Sequence, residues 1–430
     1  MSQKYIRAVV LLAFFAVSAA EASGSSMSLD EYRAAALRGN RSLQASRMEA
    51  DAAASAKAAA FTGYFPKVSA FGVMLTNYGL SGGSMLFPGL EPEDYNYVLS
   101  GFTVQQTMFA GGRILNGNRL ADAGKTAARE ALRSKRRTVS LEAEKKYRCL
   151  LVLSGRRETL RAYGEMIDAL YRQTEQAERQ GIATKTDVLR VSLKKAEISE
   201  EEKNLEKNII LAGRDMLIFA GTDTEGSFSV RDDSEPVTEP VYSTAALKAK
   251  VYDRPEYRIY AARISAARLQ REIKKGEFMP TVNVGIEFDR LDNTSSGSGN
   301  HGNMAFAALS VPVSGWWGGS HEIREYGLKE EAARENFAET SDYLLLDMEN
   351  KLKNWEQSYR RYVVAGIGAD EASANRREIE DGYKHGTEKL SDYLEAAALE
   401  FDGRNRLLEA RAGFFVARAD FMLTVGELDY

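Results

Sequence analysis

Residues 280–313 read PTVNVGIEFDRLDNTSSGSGNHGNMAFAALSVPV. Val282, Val284, Ile286 and Phe288 are apolar, and Thr281, Asn283, Glu287 and Asp289 between them are polar. This period of two marks a strand with one oily and one wet face. A Gly/Ser/Asn loop is expected over 291–302 and a returning strand over 303–313. Each strand has about ten residues, the length a tilted strand needs to cross a bilayer. Taken alone, the pattern describes a hairpin of a soluble sheet. Its setting changes that reading: long helical stretches flank it, an export-like segment opens the chain, and a second hairpin of the same kind lies upstream.

Composition bounds the rest. Charged residues make up 27 % of the 430, and the mean hydropathy is −0.36. No run of 18 apolar residues occurs, so a helical membrane protein is excluded, whereas a β-barrel with half-apolar strands is not. A net charge of −4 offers nucleic acid no general attraction, and no nucleic-acid partner is expected. Cys149 is the one cysteine, so no internal disulfide forms; its helical setting suggests a packed thiol. The first 22 residues read as a secretory signal, with basic Lys4 and Arg7, an apolar core over 8–20 and a small-residue cleavage site at Ala20-Glu21-Ala22. No cysteine follows that core to accept a lipid anchor.

The chain then repeats itself. A helix begins with Ser28 as cap and Glu31 three residues on, and stops before Pro66. Strands are expected over 68–78 and 97–109, and Gly111-Gly112 closes the hairpin. The 67 residues 114–180 contain no proline and would span about 100 Å as one helix. Gly181 marks a turn, a helix runs over 187–220, and 221–243 is a polar linker. Leu43 lies 23 residues before Pro66, and Tyr257 lies 23 before Pro280. Gly318-Gly319 follows the second hairpin as Gly111-Gly112 follows the first, and a second proline-free helix covers 322–383. Gly181 to Asp187 and Gly386 to Asp392 are both steps of six. The chain reads as two copies, 23–243 and 244–430, of helix, hairpin, long helix, turn and helix. Two hairpins give four strands, which cannot close a barrel, and open edges cannot face lipid. If the hairpins lie in a membrane, several chains must share one barrel.

These features resemble the TolC family of outer-membrane efflux proteins. The residues that carry the resemblance are Leu29-Asp30-Glu31 with Ala36-Leu37 and Asn40, Phe65-Pro66 and Met279-Pro280, Phe109-Ala110-Gly111-Gly112-Arg113, and Gly181-Ile182-Ala183-Thr184 leading to Asp187-Val188-Leu189. The resemblance implies a mostly α fold with a shared transmembrane β-barrel. It also implies a homotrimer whose twelve strands cross the outer membrane and continue as a helical coiled-coil tunnel through the periplasm of a Gram-negative-type bacterium. It further implies a passive exit duct of a tripartite efflux or type I secretion system, fed by a periplasmic adaptor and an inner-membrane pump, with outer-membrane lipid around the barrel. Ser314-Gly315-Trp316-Trp317-Gly318-Gly319 departs from the family's shorter corner; its tryptophans suit either a membrane interface or a packed corner.

No catalytic set, cofactor motif or metal-ligand spacing stands out, and His301, His321 and His385 are scattered. The resemblance places function at the two helix turns. Tyr383, Glu388, Asp392 and Glu395 match positions around the entrance constriction, where three copies would bring six carboxylates of Asp392 and Glu395 to one axis. Asp392 with Glu395 also fits a helix capping box, and Asp187 a cap of the first turn. Gly181, Ile182, Ala183, Thr184, Asp187, Gly386, Thr387 and Leu390 match the turns where the family meets its adaptor, or are ordinary hairpin turns. Glu388 stands where the family often has an arginine that helps hold the entrance closed. The competing function is a periplasm-spanning scaffold or adhesin without a pore.

Overall fold

The computed structural model describes residues 27–76, 96–222, 229–232, 236–294 and 297–428. The signal segment 1–22, the apex of the first hairpin and part of the linker after 221 lie outside the described residues. In chain order the elements are α1 (Leu29–Gly39), α2 (Arg41–Phe61), β1 (Lys67–Thr76), β2 (Asn96–Ala110), α3 (Arg113–Arg179) and α4 (Lys185–Ala220). They continue with α5 (Thr244–Lys250), α6 (Pro255–Glu277), β3 (Thr281–Asn293), β4 (Ser298–Ser310), α7 (Trp316–Lys384) and α8 (Leu390–Val425). The chain divides into two compact units, one of residues 46–133 and 255–344, the other of the remainder.

The first unit holds a four-stranded antiparallel sheet in the order β1-β2-β3-β4. Register fixes its faces. Val68, Val104, Ile286 and Ala305 lie in one row across the sheet, and Ala70, Phe102 and Phe288 in the next. Phe102 and Phe288 stack with centroids 4.7 Å apart. This face stays exposed, with Val68, Met74, Phe102, Ile286 and Leu309 all open. The other face carries Ser69, Thr103 and Glu287 in one row, and Thr107 donates to Asn283 at 2.8 Å. Alternation of this kind follows from the two-residue repeat of a pleated strand. The second hairpin pairs further toward its apex than expected, Leu291 with Asn300 and Asn293 with Ser298, whereas β4 stops at Ser310, short of the expected 313; Gly297 follows the apex at φ +70°. Ladder bonds come from the backbone, so a polar, glycine-rich stretch pairs although its side chains show no alternation.

Gly111 and Gly112 take φ of +59° and +79° at the corner into α3. Gly111 crosses Gly276 backbone to backbone; a Cβ on either would strike the other's carbonyl oxygen. Gly318-Gly319 does not repeat this corner. A 3-10 turn at Val313–Gly315 makes the bend, and both glycines lie within α7. There Gly319 leaves room for Phe278, whose carbonyl accepts a 2.9 Å bond from the Trp316 indole. Trp316 is thus partly packed, whereas Trp317 is 84 % exposed.

The second unit is built from helices. Ser28 and Glu31 form the reciprocal capping box of α1. An ionic group lies beneath α1: Glu144 of α3 accepts from Arg148 at 2.8 Å, one helical turn on, and from Arg33, a bond that no local pattern announces. The Glu144 side chain is 3 % exposed. Cys149 is exposed, contrary to the packed thiol expected, because the inward face of α3 here is formed by Tyr147, Arg148 and Leu150. Further along, α3, α4 and α8 share an apolar core of Leu160, Ile167, Leu170, Val191, Ile198, Leu205, Leu390, Tyr393 and Ala397.

Candidate functional site: two helix turns and their supports

The two turns, both in the helical unit, are built alike. Past the end of α3 stands Gly181, φ +74°, whose N–H donates to Glu178 at 2.9 Å while Ile182 reaches back to Ala177 at 2.8 Å. Past the end of α7 stands Gly386, φ +76°, donating to Tyr383 at 3.1 Å, with Thr387 reaching Gly382 at 2.9 Å. This left-handed cap satisfies carbonyls that a helix end otherwise leaves bare. Open space surrounds both glycines, so φ alone requires them there.

Their exits differ. Thr184, three residues past Gly181, is the N-cap of α4. Its Oγ1 accepts from the Asp187 N–H at 3.2 Å, and Asp187 Oδ2 accepts from the Thr184 N–H at 3.1 Å. Asp187 is therefore the partner in the capping box and Thr184 the cap. The same count from Gly386 arrives at Lys389, which caps α8 with no side-chain bond. Asp392 thus occupies the place of Asp187 without an N-cap hydroxyl to pair with, and accepts instead from the neighbouring Ser391 hydroxyl at 3.0 Å. The proposed Asp392–Glu395 capping box does not exist, because the helix starts too early for Asp392 to cap it.

Asp392 is half-buried and Glu395 exposed, one turn apart on one face of α8. Tyr383 is half-buried and stacks on Tyr393 at 5.5 Å with planes 8° apart. Glu388 is exposed and folds over Gly382, where a Cβ would meet its Cγ at 2.6 Å. Gly181, Ile182, Thr184, Gly386 and Thr387 are exposed, and Ala183 is half-buried. Leu390 is 7 % exposed and belongs to the apolar core, so it supports the turn from beneath and presents no surface.

A charged network behind the second turn escaped the sequence reading. Arg376 of α7 bonds both Glu380 and Glu400 of α8; Lys384 reaches Glu380 at 2.8 Å, and Arg404 reaches Glu400 at 2.7 Å. The i,i+4 spacing of Arg376, Glu380 and Lys384 was a legible signal; the cross-helix bond to Glu400 was not. Burial pushes the Tyr393 phenol up, helped by Glu380. Bonds from Lys384 and then Arg376 hold the Glu380 carboxyl below its ordinary 4.5. A carboxyl lowered on folding stabilises above its unfolded value and loses that contribution as pH falls through the lowered one. Acidification through the carboxylate range should therefore lower the thermal midpoint of the wild type more than that of Glu380→Gln. Parallel acid curves for the two would remove this network from the account of the turn.

Among the described residues no group of His, Cys, Asp and Glu is arranged to hold a metal ion. No helix among them is long and apolar enough to cross a membrane.

This combination of a four-stranded sheet with paired long helices is the fold of solved outer-membrane channels. The outer-membrane channel OprN superposes with a TM-score of 0.78 at 18 % identity, covering 93 % of this chain and 89 % of that one. The CmeC outer membrane channel of Campylobacter jejuni gives 0.78 at 15 %, covering 93 % and 85 %. The MtrE outer membrane channel of Neisseria gonorrhoeae, solved in an open state, gives 0.74 at 14 %, covering 93 % and 88 %. In sequence, residues 33–208 match the family described as outer membrane efflux protein, which bears out the resemblance read from the motifs. No curated protein matches the chain.

Proposed function

We propose that the chain is one subunit of a passive outer-membrane exit duct for efflux or secretion, and not an enzyme. The observation that carries the reading is the sheet. Its outer strands β1 and β4 are each paired on one side only among the described residues, and its apolar face is exposed. Open strand edges are not tolerated in lipid, and bare edges beside an apolar face favour pairing with another chain. Three copies would supply twelve strands, a number that closes a transmembrane barrel. The sequence match to outer membrane efflux proteins and the fold likeness to outer-membrane channels support the same conclusion.

In this reading residues 1–22 are the export signal, and 23–243 and 244–430 are the two copies of the duplicated repeat. The helices continue the barrel as a tunnel into the periplasm, where an adaptor and an inner-membrane pump deliver cargo. The adaptor docks at the turns through Gly181, Ile182, Ala183, Thr184, Asp187, Gly386 and Thr387. Asp392 and Glu395 narrow the entrance, with Tyr383 and Glu388 at its edge. The absence of a capping bond at Asp392 leaves its carboxylate available for that role. MtrE was solved in an open state, which fits a family of ducts that gate.

Ion conductance in a planar bilayer tests the proposal. Wild type should conduct weakly with a cation bias, because a ring of carboxylates attracts cations. Asp392→Ala/Glu395→Ala should conduct more or lose the bias. Equal conductance and selectivity in the two would retain the duct and remove the acids from its entrance. A protein that neither inserts nor conducts would be a periplasmic scaffold.

A further inference from the structure

A second feature lies on the same face of α8 as the two acids. Asp392, Glu395, Leu399, Asp402 and Arg406 follow one another at steps of three and four, the spacing that keeps side chains on one side of a helix. Leu399, Asp402 and Arg406 form one wall of a groove of about 620 Å³ between α8 and α7. Arg360, Arg361, Val364, Ala365, Gly368 and Ala372 of α7 line the other side. Leu399 is 50 % exposed and Val364 68 %, so the groove presents apolar surface to whatever passes. Gly403 lets the helices close beneath it, since a Cβ there would stand 3.3 Å from Ala369 Cα.

The charge around this apolar surface is one-sided. Arg360, Arg361 and Arg406 contribute three positive charges against the single carboxylate of Asp402. None of the three arginines joins an ion pair with a described residue, whereas Arg376, Arg404 and Arg411 nearby are all paired within the chain. Ligand sites of this size are usually apolar with a few convergent polar groups, and guanidinium forks match carboxylates and sulfonates. We propose that the groove binds a small amphipathic anion, a molecule with an apolar body and one carboxylate or sulfonate, seated with its body on Val364 and Leu399 and its head on Arg360 and Arg406.

The assignment deepens the duct reading. If Glu395 faces the passage, so does the groove, beginning one turn beyond it. Anionic amphiphiles would then meet carboxylates at the entrance and arginines directly after, a change of sign that draws the charged head inward. Cationic cargo would be held at the acids and pass the groove without stopping.

Equilibrium dialysis of radiolabelled cholate, below its micellar concentration, against the full-length protein in amphipol tests the site without requiring conduction. Wild type should bind one cholate per chain saturably, and dodecyltrimethylammonium should not compete. Arg360→Ala/Arg406→Ala should weaken binding at least tenfold, and Asp402→Asn should strengthen it. All these side chains are exposed, so the variants should fold, which circular dichroism would verify. Absence of saturable binding, or equal affinity in wild type and the double arginine variant, would overturn the site. Cholate bound in the expected way by a protein that conducts no ions would keep the site and sink the duct. A conducting protein without such binding would do the reverse.

Discussion

Glu144→Ala is expected to destabilise the protein by about 3 kcal/mol, the lower end of the cost of removing one partner from a buried ionic group, because Arg33 keeps its bond to Asp30 at 3.1 Å. The carboxylate is 3 % exposed and serves both Arg33 and Arg148, whose side chains are 7 % and 9 % exposed. Its loss would take the shared carboxylate from two guanidinium groups held away from water, that of Arg148 packed 4.4 Å over the Phe415 ring. Only two positions away, the Lys145–Glu142 pair is 45 % and 41 % exposed, and removing either partner should change stability by about 1 kcal/mol at most. Urea unfolding followed by helical circular dichroism gives both values. Equal midpoints for Glu144→Ala and Glu142→Ala would mean that water reaches the group and that α1 is not anchored through it.

The second large effect is expected at the corner of the first hairpin, where two adjacent glycines serve different ends. Alanine at 112 meets only left-handed strain, about 1–2 kcal/mol, because the nearest atom to its Cβ would be Asn116 Nδ2 at 3.5 Å. Alanine at 111 meets the same strain and also a backbone. Its Cβ would stand 2.8 Å from Gly276 Cα and from Met279 Cβ, besides the clash with the Gly276 carbonyl. Overpacking of a site that cannot shift adds about 1–3 kcal/mol, bringing Gly111→Ala to about 2–5 kcal/mol. Gly276→Ala, which has ordinary helical φ, should cost the overpacking part alone. Unfolding midpoints that rank Gly111→Ala no worse than Gly112→Ala would show that the crossing is loose.

Much of the architecture could be read from the residues because period two in 281–289 and the absence of proline over 114–180 are direct imprints of strand and helix. Where the reading failed, the cause was local. The polar stretch 291–302 was expected as loop, yet pairing by backbone needs no alternation of side chains. Gly318-Gly319 copies Gly111-Gly112 in letters but not in geometry, since the bend had already been made by Val313–Gly315. Asp392 reads as a cap in sequence because Glu395 follows it by three residues, the spacing of a capping box. Counting from the glycine to Thr184 and Lys389 would have separated the two turns. Arg33 and Glu144 are 111 residues apart, and the bond from Arg376 to Glu400 joins different helices. Neither leaves a trace in local spacing. The groove escaped for the same reason, as one wall belongs to α7 and the other to α8.

The unsatisfied borders of the sheet carry one more implication. β1 and β4 are different strands, so joining the border of one copy to that of the next is a head-to-tail contact, and nothing in such a contact counts copies. Repeated without bending, it would polymerise into an endless ribbon. In the proposed trimer, stopping at three would be the work of sheet curvature, through the angle by which each four-stranded piece turns its last strand away from its first. The bulge between Thr107 and Phe109 sits where such bending is set. Straightening it should trade a closed ring for fibres, making copy number a property of shape and not of adhesive strength.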